Sequence, residues 1–364
     1  MTDMMPQVPM RIDISGFRSI ENLSLQLETP VTVLVGANGA GKSNLISALE
    51  LLGRIATGQL QQTLVTWGGI GSQLFMSHTH LAKTIQLGIT SDSRGDAYTV
   101  TLEPAVDDTA VIYEKVSGKE FGPTRESTFV AMPSDTTITS LITGLRVFHF
   151  DDTSFDAPPR RRAHVADDIS LSPDGGNLAA VLLHLSRYNP DVLTSIELAV
   201  RSVAPFFDTF VLEADGESIL LRWKQKGLDR ILSVSQMSSG TLRFAMLATL
   251  LLHPHSPRTI VLDEPELGLH PAAIWQLSEL IRASARDHRV IVATQSVTLV
   301  NQFTIDEIVL VLRNDGATTA VRPNPDQFTD WLADYSLGEL WEKNILFGGY
   351  PQVEREADTS VTAS

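Results

Sequence analysis

An α/β architecture with a mixed or parallel core sheet, a β-rich N-terminal lobe and a helical subdomain is what this 364-residue sequence predicts. Three observations carry that expectation. From Ser238 onward, helix-period and strand-like segments alternate: a helix, TIVL, a helix over 271–286, VIVAT, another helix, and EIVLVL. Alternation of this kind builds parallel strands into one sheet covered by helices on both faces. Residues 63 to 130 are instead rich in Thr, Val, Ser and Gly; TIQLGIT, AYTVTL and AVIYEKV alternate like strands between polar turns such as DSRGD. Between these regions, GGNLAAVLLHLSR and DVLTSIELAVRSV carry apolar residues at helical spacing.

The remaining elements follow in chain order. MRIDISGF, LSLQLE and VTVLV read as three short strands, the last ending in a Gly-rich turn. Leu45, Ile46, Leu49 and Leu52 then recur at helical spacing. A helix is expected around Thr136 to Leu145, followed by the strand RVFHF. The prolines of DAPPRRRAH mark a loop. FVLEA and ILLRW suggest a hairpin around Asp215-Gly216.

Composition bounds the function. Hydrophobic residues at 43% and charged residues at 20% are globular usage and argue against disorder. The absence of cysteine excludes disulfides, thiolate metal sites and Cys nucleophiles. No run approaches the roughly 20 apolar residues that span a bilayer. MTDMMPQVPMRID has neither a basic n-region nor an apolar h-region, so a cytoplasmic protein without a membrane partner is the expectation. Net charge is −15, against a generally basic nucleic-acid surface. Residues 306–364 hold 4 basic and 11 acidic residues, nearly half of that excess, so DNA contact elsewhere stays open.

Chemistry begins at Gly36-Ala37-Asn38-Gly39-Ala40-Gly41-Lys42-Ser43, which satisfies GxxxxGK[ST] between an apolar strand and an amphipathic helix. Glycines let successive N–H groups curl toward phosphate oxygens, and the helix adds its positive end. Lys42 supplies charge to the β- and γ-phosphates of a nucleotide such as ATP, and Ser43 a hydroxyl to Mg²⁺. Further on, Thr259-Ile260-Val261-Leu262 runs into Asp263 and Glu264. A buried strand delivers both acids to the carboxyl edge of the sheet, where ligands bind in such folds. Asp263 then serves the Mg²⁺ shell, and Glu264 is placed to orient and deprotonate an attacking water. Between the two motifs, Ser238-Ser239-Gly240 opens a helix; it reads either as an anion site or as a plain N-cap.

The order of phosphate loop, Ser-Ser-Gly at a helix start, and strand-Asp-Glu resembles the ABC-type ATPase heads of P-loop NTPases. GANGAGKSN with Asn44 after the serine, the opening MRIDISGFRSIENLSL, and Asp-Glu-Pro-Glu-Leu-Gly-Leu-His-Pro over 263–271 are similar to the RecF, SMC and OLD-like branch. FHFDDTS, DGGNLAAVL, PFFDTFVLE and YSLGELWEKN resemble compact stand-alone bacterial AAA-type ATPases, so the likeness extends over about residues 10 to 350. The resemblance implies a head-to-tail homodimer with two sandwiched ATPs. Lys42 and Ser43 of one subunit would face Ser238 and Gly240 of the other across the nucleotide, with Gly36, Asn38, Gly39, Ala40, Gly41, Asn44 and Ser239 among the nucleotide-binding residues. Gly268, Leu269 and His270 would couple the two sites, and ATP would close the dimer.

Motif positions divide the chain into 1–62 with the phosphate loop, a β-rich lobe over 63–150, and a helical subdomain over 151–237. Residues 238–325 hold the signature, the acidic strand and the switch. A helical, acidic tail spans 326–364, its last fifteen residues expected to be disordered.

Two departures from the related heads stand out. Those heads carry His in a Thr-His-Ser setting, whereas this chain has Gln295 between Thr294 and Ser296. A Gln can orient water or hydrogen-bond a γ-phosphate, but it cannot titrate. No lobe-linking Gln is found; His149 to Thr153 occupies its place, with Asp151 or Asp152 as substitutes. Arg160-Arg161-Arg162 either grips a phosphate or is a solvated loop balanced by nearby acids. His78 with His80, and His253 with His255, lack a third ligand pattern. Coiled-coil heptads and a nuclease signature are both missing, so a nuclease or other effector would be a separate subunit. The expected activity is a Mg²⁺-dependent ATPase head that controls a nucleic-acid-linked partner in DNA repair or anti-phage defence. The energising subunit of a membrane transporter and a slow or binding-only ATP switch are the alternatives.

Overall fold

The computed structural model describes residues 9–91, 96–127 and 141–346. The chain opens with β1 (Met10–Phe17) and β2 (Ile20–Leu27), then β3 (Val31–Val35), α1 (Lys42–Ala56) and α2 (Leu60–Thr66). Next come β4 (Ile85–Ser91), β5 (Ala97–Pro104), β6 (Ala110–Val116), β7 (Lys119–Thr124), β8 (Leu145–Phe148) and β9 (Ala163–His164). After α3 (Leu178–Tyr188) and α4 (Pro190–Val203) lie β10 (Phe207–Val211), β11 (Ser218–Ile219), β12 (Arg222–Gln225) and β13 (Ile231–Ser233). The last third runs α5 (Ser239–Leu252), β14 (Thr259–Asp263), α6 (Pro271–Ser284), β15 (Arg289–Thr294), α7 (Val297–Val300), β16 (Ile308–Asn314) and β17 (Ala317–Val321). Two short helices, α8 (Thr329–Asp334) and α9 (Leu337–Glu342), follow.

The core sheet has the order β17-β16-β3-β15-β14-β8. Its strands are parallel except β17, which pairs antiparallel with β16. Burial on both faces explains the unbroken apolar runs: all five residues of β3 and all six of β15 are buried. Because side chains alternate along a strand, the sheet divides two cores. Val31, Val33, Val290 and Val292 face the core packed by α3 to α6, whereas Leu34, Ile291 and Ala293 face the core shared with α1 and the β-rich lobe.

That lobe is an antiparallel sheet of order β2-β1-β4-β5-β6-β7, and β5 alternates buried and half-buried residues as a one-sided sheet does. Sheet membership therefore cuts across the spans 1–62 and 63–150, since β1, which also carries the edge strand β2, pairs with β4 rather than with β3. The 151–237 region holds α3 and α4, and also a three-stranded sheet β10-β12-β13. The expected hairpin forms around Asp215-Gly216: Phe210 pairs with Trp223 and Val211 with Arg222, Asp215 bridges to Ser218 at the turn, and Ser218 and Ile219 pair in addition with His164 and Ala163. The helix expected around Thr136 to Leu145 falls largely outside the described residues; residues 141–143 are helical, and Leu145 opens β8. The fifteen-residue tail lies outside them too. Among the described residues no helix is long and apolar enough to cross a membrane.

Candidate functional site

The phosphate loop leaves β3 at a place built for glycine. A Cβ on Gly36 would lie 2.3 Å from the Val311 carbonyl oxygen. Gly41 takes φ +104, and a Cβ there would lie 2.0 Å from Thr318 Oγ1. It also stands as the N-cap of α1 without a side chain to cap it, which leaves the first-turn N–H groups to an anion. Ala37, Asn38, Gly39 and Ser43 are exposed, whereas Ala40 is buried beneath them. Asn44 is half-buried, and its Nδ2 donates to Ser19 Oγ at 2.6 Å.

Lys42 is 5% exposed, and its Nζ donates to the Gly36 and Ala37 carbonyls at 2.6 and 3.1 Å. Burial lowers its pKa, opposed by the nearby charges of Glu264, Asp263 and Glu266. Adding a methyl at Gly41 combines a left-handed φ with a collision. Gly41→Ala is expected to weaken binding of a fluorescent ATP analogue by about tenfold or more, from strain of roughly 1–3 kcal/mol. Adding Thr318→Ala should recover part of the loss; unchanged affinity in the single variant would refute this account of the loop.

Strand β14 delivers Asp263 and Glu264 half-buried to the same edge. Glu264 sits at φ +44, held by its N–H to the Ala293 carbonyl at 2.9 Å. A non-glycine residue in that region stores strain, as functional residues often do. Gln295 Nε2 donates to Glu264 Oε1, and Thr294 Oγ1 donates to the buried Glu266. Burial raises the Asp263 carboxyl, with Glu264 and Asp151 adding to the rise and His149 and Lys42 opposing it. Burial likewise raises Glu266.

One cleft of about 210 Å³ joins Asn38, Gly39, Gly41, Lys42, Ser43 and Asn44 to Glu264, Gln295 and Arg313. Ser238, Ser239 and Gly240 are not among its lining residues. Ser238 caps α5, its Oγ accepting from Thr241 N at 3.2 Å, and both serines are exposed. Gly240 allows α5 to approach the loop over 268–270, since a Cβ would lie 2.9 Å from the Gly268 carbonyl oxygen. Asp151 lines a smaller recess with Asp263 and Glu264, whereas Asp152 is spent on its own turn, accepting from Ser154 N and Oγ. Arg160 is not aimed at a phosphate. It donates to the carbonyls of Thr153, Val234 and Met237, while Arg162 pairs with Asp215.

Sequence reasoning passed over three residues. Arg243 is 8% exposed and ties the start of α5 to the Phe150, Asp151 and Leu267 carbonyls. Thr318 donates to the Ala40 carbonyl at 3.0 Å from β17. Arg313 lines the main cleft from the end of β16. Only Arg313 left a signal, a cation where an apolar strand meets the carboxyl edge of the sheet.

RecF of Parasynechococcus marenigrum, a DNA replication and repair protein, is 43% identical over 56 residues, 15% of either chain. RecF of Salmonella paratyphi A is 34% identical over 92 residues, 24% of this chain and 25% of its own. This chain thus spans a quarter or less of the RecF relatives it matches. An SMC head solved with the C-winged helix domain of ScpA shares the fold at TM-score 0.63 and 19% identity, over 86% of this chain and 97% of that one. The Pyrococcus furiosus SMC head solved with the C-terminal domain of ScpA gives 0.61 and 14%, over 90% and 99%. With residues 31–301 matched by the family described as "AAA domain, putative AbiEii toxin, Type IV TA system", the chain belongs to that family; it is RecF-like over part of its length and has the P-loop fold of the SMC heads.

Proposed function

We propose that this chain binds and hydrolyses ATP with Mg²⁺, that two copies close head to tail around two nucleotides, and that closure controls a nucleic-acid-associated partner. The observation that carries the dimer is the incomplete cleft. At about 210 Å³ it is smaller than the roughly 300–1,000 Å³ of ordinary ligand pockets, and the exposed Ser238 and Ser239 lie outside it. A second copy presenting its own α5 N-terminus would supply the missing wall.

The residues fit the ligands. Ser43 and Asp263 offer the oxygen donors Mg²⁺ takes, and the raised Asp263 carboxyl marks a place where a cation is favourable. Bound Mg²⁺ would neutralise charge on the β- and γ-phosphates. Lys42 would exchange its two loop carbonyls for phosphate oxygens. Glu264, fixed by its backbone and by Gln295, would take the proton of the attacking water. The Gln295 hydrogen bond also favours a second reading, a slow switch, because it occupies an oxygen of the base and brings no titratable group.

Support for a nucleic-acid partner comes from the RecF relatives, named for DNA replication and repair, and support for a protein partner from SMC heads solved with ScpA. A separate nuclease or effector subunit, DNA repair or a defence role fits that reading, and a toxin system is named by the family description. Ser238→Arg tests the sandwich. ATP-analogue affinity of the monomer should stay within twofold, while ATP-dependent dimerisation in gel filtration disappears and turnover falls about tenfold or more; Ser238→Thr, which keeps the cap, should behave nearly as wild type. Wild-type dimer and turnover in Ser238→Arg would sink the model. Stimulation of turnover by DNA would distinguish direct sensing from control through a protein.

A further inference from the structure

The hairpin of β16 and β17 lies beyond the residues that the family model matches, yet it backs the phosphate loop along its length. Strand β16 runs parallel to β3 with Leu310 opposite Val35, so its next residues follow the chain into the loop. Val311 packs its carbonyl against Gly36. Thr318 holds the Ala40 carbonyl at 3.0 Å, meets Ser19 Oγ at 2.7 Å, and has its N–H on the Ser19 carbonyl at 2.7 Å. Arg313 reaches over the outer limb, its Nη1 3.4 Å from the Gly39 carbonyl.

The side chain of Arg313 is exposed and lines the same cleft as Lys42, Glu264 and Gln295. At 3.4 Å its bond to Gly39 is long for a charged donor. Its chemistry also answers a need. Asp263, Glu264 and Glu266 all lie close enough to act on Lys42, so a triphosphate entering this acidic cleft would gain from a further cation beside Lys42 and Mg²⁺. A guanidinium is permanently charged, planar, and able to bond two phosphate oxygens at once.

We infer that Arg313 is a second nucleotide-binding cation, engaging the terminal phosphate of the ATP held in its own subunit. The assignment to that phosphate follows from sharing a cleft with Glu264 and Gln295, the groups placed at the attacking water. It rests on the ATP reading given above. Its consequence is discrimination: a residue on the terminal phosphate strengthens ATP and leaves ADP nearly unaffected. Arginines that stabilise transferring phosphoryl groups are worth about 10³–10⁵ in turnover, so a cis arginine of this kind is a large contributor.

The test uses the full chain, a non-hydrolysable ATP analogue, ADP and steady-state ATPase assays. Arg313→Ala should weaken the analogue about tenfold or more, change ADP affinity less than twofold, and lower kcat about 100-fold with an unaltered melting temperature. Arg313→Lys should regain part of the affinity and little of the kcat, because an ammonium lacks the planar fork. Equal losses for both nucleotides would identify Arg313 as a support of the loop and overturn the inference, as would wild-type behaviour of Arg313→Ala. Failure of the wild-type chain to bind either nucleotide would instead overturn the ATP reading itself, and this inference with it.

Discussion

Glu264→Gln is expected to leave ATP bound, turnover reduced by about 10²–10⁴, and two copies locked together as a dimer in gel filtration. The substitution keeps the size and planarity of the side chain, so β14 and the loop over 268–270 should hold their places. What it removes is proton acceptance. The backbone at this position is fixed independently of the side chain, by the Glu264 N–H on the Ala293 carbonyl. Gln295 can still donate to the new amide oxygen, so the carbonyl end keeps its orientation. Binding and closure precede the proton transfer and persist, whereas reopening needs hydrolysis. Full turnover in this variant would remove Glu264 from the role of base, and a monomer with ATP would remove the sandwich. Gln295→Ala separates the two jobs: if it only orients Glu264, its loss should lower kcat without altering the affinity for ATP.

Much of this site was legible because it is local. Gly36 to Ser43 is a continuous stretch whose glycines, lysine and serine each answer a geometric demand, and Thr259 to Glu264 combines an apolar strand with two acids at its end. Those patterns survive without knowledge of the rest of the chain. The support behind them does not. Thr318 contacts Ala40 from nearly 280 residues away, and no periodicity marks a threonine on a half-buried strand as the neighbour of Gly41. Pairing of β1 with β4 was hidden for a related reason, since alternation reveals a strand but not its partner. Ser238 shows a different limit. Its capping bond is real, and the same exposed hydroxyl is available to a partner subunit's nucleotide, so local geometry alone suits both readings.

Lys42→Ala should abolish measurable ATP binding, and its effect on the fold should depend on pH. Two charge-assisted hydrogen bonds to phosphate at about 1.5–3 kcal/mol each correspond to roughly 10²–10⁴ in affinity, enough to bring a micromolar ligand out of range. Near-wild-type affinity in a fluorescent-analogue titration would refute the phosphate-loop assignment. The fold responds through the acids. Burial already raises Asp263 above its ordinary 3.8 and Glu266 above 4.5, so ionising either opposes folding at any pH above its folded value. Lys42 offsets part of that opposition at Asp263. Without the ammonium the Asp263 pKa must rise further, and the penalty grows where the carboxyl is ionised. Relative to wild type, Lys42→Ala should therefore lose stability as pH rises through the raised carboxyl values and regain it as pH falls and these groups take up protons. Lys42→Met, which fills the same space without charge, should show the same pH trend with a smaller packing loss. A melting difference that stays constant with pH in both variants would mean the acids do not feel Lys42, and the electrostatic account of the site would fail.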